Sequence, residues 1–336
     1  MARVVAVTGG SAGIGRATVV AFARAGWDVG IIARGRERLE AAAEEVRALG
    51  RRACSVAADV ADAEGLERAA EQIEQALGPI EVWVNNAMAT AFAPVAALAP
   101  AEFLRGTQVT YLGQVHGTLI ALRRMRVRNR GTIVNIGSAL AFRAIPLQSI
   151  YCAAKFAVHG FTEALRSEIL HDGLAVHLTM VHLPAHNTPQ FDWALNRMPR
   201  RPQPVPPIFQ PEVAARAIYF AATHRRREVW VGWPTLKAIL ASRLAPALVD
   251  RYLASAGYSG QLSEQPAPAD GAANLFEPVP GLYGAHGRFD ARARSRGGLL
   301  WTSRHRAALT AALLLLSGLG MAQLLRGLGR TLRRRG

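Results

Sequence analysis

The sequence predicts a doubly wound α/β domain, on three observations. Short apolar runs alternate with amphipathic stretches through most of the 336 residues. The first apolar run ends in a glycine-rich turn that opens a helix. Half the residues are hydrophobic and 19% are charged, enough apolar mass for a large core. Strands that alternate with helices need right-handed crossovers, and these build a parallel sheet covered on both faces.

The elements follow in order. "VVAVT" (4–8) reads as a buried strand, followed by the glycine turn and a helix to about Ala25. "DVGIIA" (28–33) is a second strand, and "ERLEAAAEEVRAL" (37–49) is a helix with i,i+4 charge pairs. "ACSVAAD" (53–59) is a strand, 62–77 a helix and "IEVWVNNA" (80–87) a strand. A long helix covers about 101–128, "GTIVNIG" (131–137) is a strand, and a helix runs over 151–171. The strands "AVHLTMVHL" (175–183) and "EVWVG" (228–232) complete a domain expected over residues 1–255. Pro, Gly, Ala and Ser then dominate residues 256–298, which read as a poorly ordered linker. Residues 299–336 read as an Arg-flanked apolar helix.

The formal charge of +16 is unevenly spread. Residues 287–336 hold eleven arginines and one acid, Asp290, so +10 lies there and +6 over residues 1–286. An excess carried by a tail is not a basic groove, and no zinc spacing or RNA-binding aromatic signature accompanies it. Nucleic acid is therefore not an expected partner. Cys54 and Cys152 make no disulfide framework and read as thiols in a reducing compartment, with a reactive Cys152 as the sharper alternative. "MARVVAVTGG" has too short an apolar run for a signal peptide, so the body is expected in the cytoplasm.

The turn "TGGSAGIG" (8–15) sits at the first strand-to-helix junction. Gly9 permits a tight turn, Gly13 lets the backbone approach a pyrophosphate, and Gly15 allows close helix–strand packing. Phosphate would rest on backbone N–H groups at the positive end of the helix. Thr8, Gly9, Ser11, Gly13, Ile14 and Gly15 are thus candidate contacts to a dinucleotide in a Rossmann-type cleft. The second strand ends in "ARGRER", with Arg34 just past it and no acid before Glu37. An acid there would bind the 2′-hydroxyl of NAD, whereas a guanidinium fits a 2′-phosphate, so NADP(H) is favoured over NAD(H). A solvated basic turn is the bland reading of the same residues.

"YCAAK" puts Tyr151 and Lys155 four residues apart on one helix face. A nearby ammonium and an oxidised nicotinamide would lower the phenol pKa towards neutrality. Tyr151 could then exchange a proton with a carbonyl or alcohol oxygen while hydride moves. Ser138 ends the fifth strand and can hold the same oxygen.

Together these motifs resemble the short-chain dehydrogenase/reductase family, in its short single-domain branch, over about residues 3–255. The matching stretches are "TGGSAGIG", "DV" (59–60), "NNA" (85–87), "NIGS" (135–138), "YCAAK" (151–155) and "LPAHNTP" (183–189). The resemblance implies that Asp59 and Val60 contact adenine, and that Asn85 and Ala87 support the cofactor's ribose side. It implies that Ser138 orients substrate, Tyr151 is the acid/base, and Lys155 binds the nicotinamide ribose and lowers the tyrosine pKa. Pro184 and Thr188 would hold the nicotinamide end.

Three positions depart from that family's pattern. Met88 stands where a glycine usually follows "NNA", and Ala185 replaces the glycine after Pro184. Thr110 in "VTYLG" replaces the asparagine that, in the family, helps hold a water linking the lysine to solvent. The Thr110 carbonyl could still hold it, and activity is expected to survive. The same replacement motivates an alternative, a catalytically impaired NADP(H)-binding scaffold or regulator at a membrane.

Residues 188–212 fall where such folds place a substrate lid and offer Phe191, Trp193, Leu195, Met198, Ile208 and Phe209. They would line a pocket for a lipophilic carbonyl or alcohol, or merely pack the lid on the body. His182 and His186 lack metal-ligand spacing, and no metal is expected. Residues 307–325 carry eight leucines and no charge, and their length of about 28 Å as a helix approaches the bilayer core. A span, an interfacial helix on anionic lipid, and a helix docked on protein all remain open. The function expected is an NADP(H)-dependent oxidoreductase, tied to membrane lipid by its tail, with a homodimer or homotetramer as the assemblies open to it.

Overall fold

A computed structural model of the chain describes residues 3–232, 242, 244–268, 271 and 273–297. Its first part is a strand–helix alternation: β1 (Val4–Thr8), α1 (Gly13–Arg24), β2 (Asp28–Ala33), α2 (Arg36–Ala48), β3 (Ala53–Ala57), α3 (Ala63–Leu77) and β4 (Ile80–Asn85). A short β5 (Ala91–Phe92) and α4 (Pro100–Thr107) lead into α5 (Gly113–Arg128), β6 (Thr132–Ser138), α6 (Ser149–His171) and β7 (His177–Leu183). Beyond them lie α7 (Gln190–Trp193), β8 (Leu195–Asn196), β9 (Arg200–Pro202), α8 (Pro211–Thr223), β10 (Glu228–Trp230), α9 (Pro246–Ala256) and β11 (Leu262–Pro266).

Seven strands form one parallel sheet in the order β10-β7-β6-β4-β1-β2-β3. The chain moves outward from β1 through β2 to β3, then returns to β4 and continues the other way. This reversal opens a crevice at the carboxyl ends of β1 and β4, where ligands of such sheets bind. β1 is buried on both faces because helices cover both. Val5 and Val7 pack with Phe22 of α1 and Val213 of α8, while Val4 and Ala6 pack with Ile73 of α3 and Ile120 of α5. This alternation of side chains orients the strand and aims its end into the crevice.

Two expectations need correction. The long helix over 101–128 is interrupted by a π-turn at Gln108–Leu112, between α4 and α5. Segments 256–268 and 273–297, expected as a loose linker, fold back on the domain. β11 pairs antiparallel with β9, and Gln261, Leu275 and Phe289 are buried. The body supplies polar anchors for this Gly/Pro-rich chain. The Arg105 Nε donates to the Leu275 carbonyl at 3.0 Å, and Asn187 Nδ2 donates to Asp290 at 2.8 Å. The apolar helix expected over 299–336 lies outside the described residues. Among those described, no helix is long and apolar enough to cross a membrane.

Candidate active site

The glycine turn leaves β1 under tight steric constraint. Gly9 and Gly13 have φ of +65° and +57°, a region side chains rarely adopt. At Gly15 a Cβ would lie 2.0 Å from the Gly9 carbonyl oxygen, so only glycine lets α1 approach the turn. Thr8 Oγ1 accepts the backbone N–H groups of Asn86 and Ala87 at 3.0 and 3.2 Å. The Asn86 side chain in turn donates to the carbonyls of Thr8 and Gly9, which clamps the turn onto the end of β4.

A cleft of about 180 Å³ runs from this turn along the ends of β1 to β3. Gly9, Ser11, Gly13, Ile14, Arg34, Arg38, Asp59, Val60 and Ala87 line it, as does Asn86. Sequence reasoning assigned Asn85 to this role, but the structure puts Asn85 beneath the cleft. It is fully buried, accepts from Trp83 Nε1 and donates to Thr118 and Asn135, so it ties β4 to α5 and β6. Asn86, missed in the sequence, is the one that reaches the turn.

The returning segment forms the outer wall of this cleft through Asn274 and Pro278. The Arg34 guanidinium donates to the carbonyls of Phe276, at 2.5 Å, and Asn274. Arg38 lies 4.9 Å from the Trp193 ring and 5.6 Å from that of Tyr283. The Gly13 N–H, first of α1, donates to the Gly284 carbonyl at 3.0 Å. Asp59, the acid in the cleft wall, is paired with Arg105.

A second cavity of about 290 Å³ adjoins the first, sharing Ile14, Asn86, Met88, Thr188 and Gln190. Ser138, Tyr151 and Lys155 all line it. Ser138 ends β6, where its Oγ accepts the Leu140 N–H at 3.1 Å and is hydrogen-bonded to Tyr151. Lys155, one turn beyond Tyr151 on α6, is buried and donates to the Ile136 carbonyl at 2.6 Å, with its Nζ 5.5 Å from the Tyr151 ring centre. Pro184 and Thr188 border the same space.

The acidified tyrosine is expected of a site that also holds an oxidised nicotinamide, and the protein alone has a different protonation balance. Burial pushes Tyr151 up to about 12, although the Ser138 hydrogen bond works against it. Burial also pushes Lys155 down to about 7. The ammonium therefore does not lower the phenol in the protein alone, because removal from water costs the charged form of each group more than the other returns. Burial likewise raises Cys152 to about 11 and Cys54 above its usual value, so both thiols are protonated and neither is an activated nucleophile.

The lid divides its residues between the two spaces. Phe191 and the proline strip Pro204–Pro207 line the second cavity, while Trp193 faces the first. Ile208 and Phe209 are buried in the body. The Thr110 hydroxyl donates to the Ala89 carbonyl at 2.8 Å and accepts the Ala89 N–H at 2.9 Å, so it is spent on backbone rather than brought to Lys155. His182 is buried 3.3 Å from Glu228, whose carboxyl that pairing helps hold at about 2. His186 Nδ1 is 2.9 Å from the Pro184 carbonyl, and burial pushes it down to about 4. His186 is thus a packed neutral histidine, whereas His182, which sequence spacing gave no ligand partners, has ligand atoms of His159 and Glu228 within 4.8 Å.

Residues 3–194 match the short chain dehydrogenase family. The uncharacterized oxidoreductase YxnA of Bacillus subtilis is 31% identical over 283 residues, 84% of this chain and 80% of that protein. That span is too long for residues 1–255 alone and takes in part of the returning segment. An uncharacterized oxidoreductase of Mycobacterium tuberculosis is 32% identical over 74% of this chain and 72% of its own. An alcohol dehydrogenase from the archaeon Thermococcus sibiricus, complexed with 5-hydroxy-NADP, shares the fold with a TM-score of 0.59 at 23% identity. It covers 68% of this chain and 96% of that one. A metagenomic short-chain oxidoreductase in complex with NADP has a TM-score of 0.57 at 25% identity, over 68% and 95% of the two chains. The sheet order, the glycine turn and these matches lead to one conclusion: the chain belongs to the short-chain dehydrogenase family of oxidoreductases.

Proposed function

We propose that the protein is an NADP(H)-dependent oxidoreductase that interconverts a carbonyl and an alcohol on a lipophilic substrate. One observation carries this reading: Ser138, Tyr151 and Lys155 share the wall of a cavity that opens into the glycine-turn cleft. The cleft suits a dinucleotide, since Gly15 has no room for a Cβ and the turn opens a helix whose first N–H, that of Gly13, would exchange the Gly284 carbonyl for a phosphate oxygen. Arg34, just past β2, and Arg38 of α2 line the cleft and suit a 2′-phosphate, for which Arg34 would give up the Phe276 and Asn274 carbonyls, and Asp59 is paired with Arg105. NADP in the two solved relatives supports the same choice of coenzyme.

The bound coenzyme would supply or accept the hydride. The chain's residues do the rest. Neutral Tyr151, held to Ser138, is set to give its proton to a carbonyl oxygen or to receive one from an alcohol. Ser138 Oγ hydrogen-bonds the same oxygen and fixes its distance from the phenol. Lys155 has two N–H donors beyond the one on Ile136, suited to hydroxyls of the coenzyme's ribose. Phe191, Leu140, Ile145 and the proline strip exclude water and favour an apolar substrate body.

In this reading residues 1–255, walled by the returning segments 256–268 and 273–297, are the catalytic domain, working in the cytoplasm, and residues 307–325 hold it at a membrane where such substrates dissolve. The test is coenzyme oxidation by the purified chain with NADPH and a panel of steroid, retinoid and acyl-chain ketones. Oxidation dependent on one substrate class is expected. Silence across the panel, with NADPH demonstrably bound, overturns the reading.

A further inference from the structure

The catalytic lysine stands in an unusual balance. Lys155 is about 1% exposed, and burial is the sole cause of its depressed pKa. Among the described residues no charged side chain acts on it. Tyr151 on its own helix is neutral, β6 offers the Ile136 carbonyl, and His116 of α5 is turned away onto the Val60 carbonyl at 2.9 Å. An ammonium in such a place survives only on the hydrogen-bond acceptors around it.

Gln114 of α5 faces the same spot. It is about 1% exposed, and its Nε2 donates to the Ile136 carbonyl at 3.1 Å, the oxygen that also takes Lys155 Nζ. The amide orientation is fixed by that bond, because a reversed amide would set oxygen against oxygen. Gln114 Oε1 is thereby directed elsewhere, is buried, and has no hydrogen-bond partner among the described residues. A buried acceptor left unpaired is destabilising, because it has given up its hydrogen bonds to water. Lys155, beside it on the shared carbonyl, has donors to spare. The π-turn Gln108–Leu112 immediately precedes Gln114, an irregularity that recurs at functional sites.

We propose that Gln114 is a positioning residue for Lys155: its amide oxygen accepts a second N–H of the ammonium through one water, while its amide nitrogen steadies the Ile136 carbonyl that takes the first. Gln114 thus keeps the lysine charged and aimed. The assignment deepens the Tyr151 reading and rests on it for its catalytic meaning, but not for its measurement.

The chain has two lysines, Lys155 and Lys237, so a protein labelled with ¹³C at the lysine ε-carbon gives two signals to titrate by NMR. Gln114→Leu is expected to lower the Lys155 midpoint by about one pH unit, the size of a hydrogen bond to a charged group, without moving Lys237. Gln114→Met, of similar length, is expected to lower it likewise. With an active substrate, the pH profile of kcat moves with that midpoint while KM stays put. Lys155 midpoints unchanged in both variants overturn the proposal. If Gln114→Leu does not fold, the Gln114→Met midpoint decides alone, a fall supporting the assignment and no change refuting it. A shifted midpoint without turnover on any carbonyl removes the Tyr151 reading and leaves the Gln114 assignment standing.

Discussion

Lys155→Met should make the protein more stable while abolishing its proposed chemistry. The lysine falls from 10.5 to about 7 on folding because burial strips its ammonium of water. That displacement corresponds to about 5 kcal/mol of lost stability wherever the unfolded lysine is charged and the pH is at or below about 7. Methionine has similar length and no charge to bury. Its cost is the hydrogen bond from Nζ to Ile136, about 1.5–3 kcal/mol for a charged donor, and Gln114 Nε2 still satisfies that carbonyl. The net is a gain of about 2 kcal/mol, roughly 4 °C in Tm. The sign with pH follows from the depressed value. Between pH 7 and 10.5 the unfolded chain holds a proton that the folded one has lost, so wild-type stability rises with pH. The advantage of methionine therefore shrinks across that window. Tyr151, raised to about 12, opposes the trend above pH 10. Urea and thermal unfolding of both proteins without coenzyme, at pH 7 and 9.5, measure the effect. A Met variant less stable than wild type at pH 7, or a gap that does not narrow with pH, refutes the reasoning.

Three further outcomes are expected. Gly15→Ala puts a methyl 2.0 Å from backbone oxygen and should unfold the turn, costing about 3 kcal/mol or more, whereas Gly160→Ala meets nothing within 4 Å in mid-helix and should gain about 0.5–1 kcal/mol. Denaturation midpoints compare them. Arg34→Ala should weaken NADPH about 10–100-fold and leave NADH nearly unchanged in fluorescence titrations. An equal loss for both coenzymes would mean that Arg34 merely holds the Asn274–Phe276 wall. Deleting residues 299–336 should release the domain from the membrane fraction to the soluble one, and unchanged sedimentation with membranes disposes of the anchor.

Periodicity made most of the fold legible. β1, β2 and α2 are visible because each has a burial pattern that repeats within a few residues, and the glycine turn is visible because only glycine satisfies its φ values and close approach. Ser138, Tyr151 and Lys155 were readable as spacing along the chain. What escaped depends on contacts between distant residues. Residues 273–297 have no repeat of their own and are fixed by arginines and amides of the body, such as Arg34, Arg105 and Asn187. Asn85 and Asn86 are chemically identical, and only the end of β4 decides which faces the cleft. Gln114 sits in an ordinary helix pattern, and its orphaned oxygen exists only relative to Ile136 and Lys155. Burial, which raises the Tyr151 phenol to about 12 in the protein without coenzyme, leaves no mark on sequence.

The most direct test of the central claim is the rate of NADPH oxidation with a lipophilic ketone by wild type and Tyr151→Phe. The account predicts turnover by wild type and a fall in kcat of about 10²–10⁴ in the variant, with NADPH bound as tightly as before. Equal rates in the two proteins would contradict it.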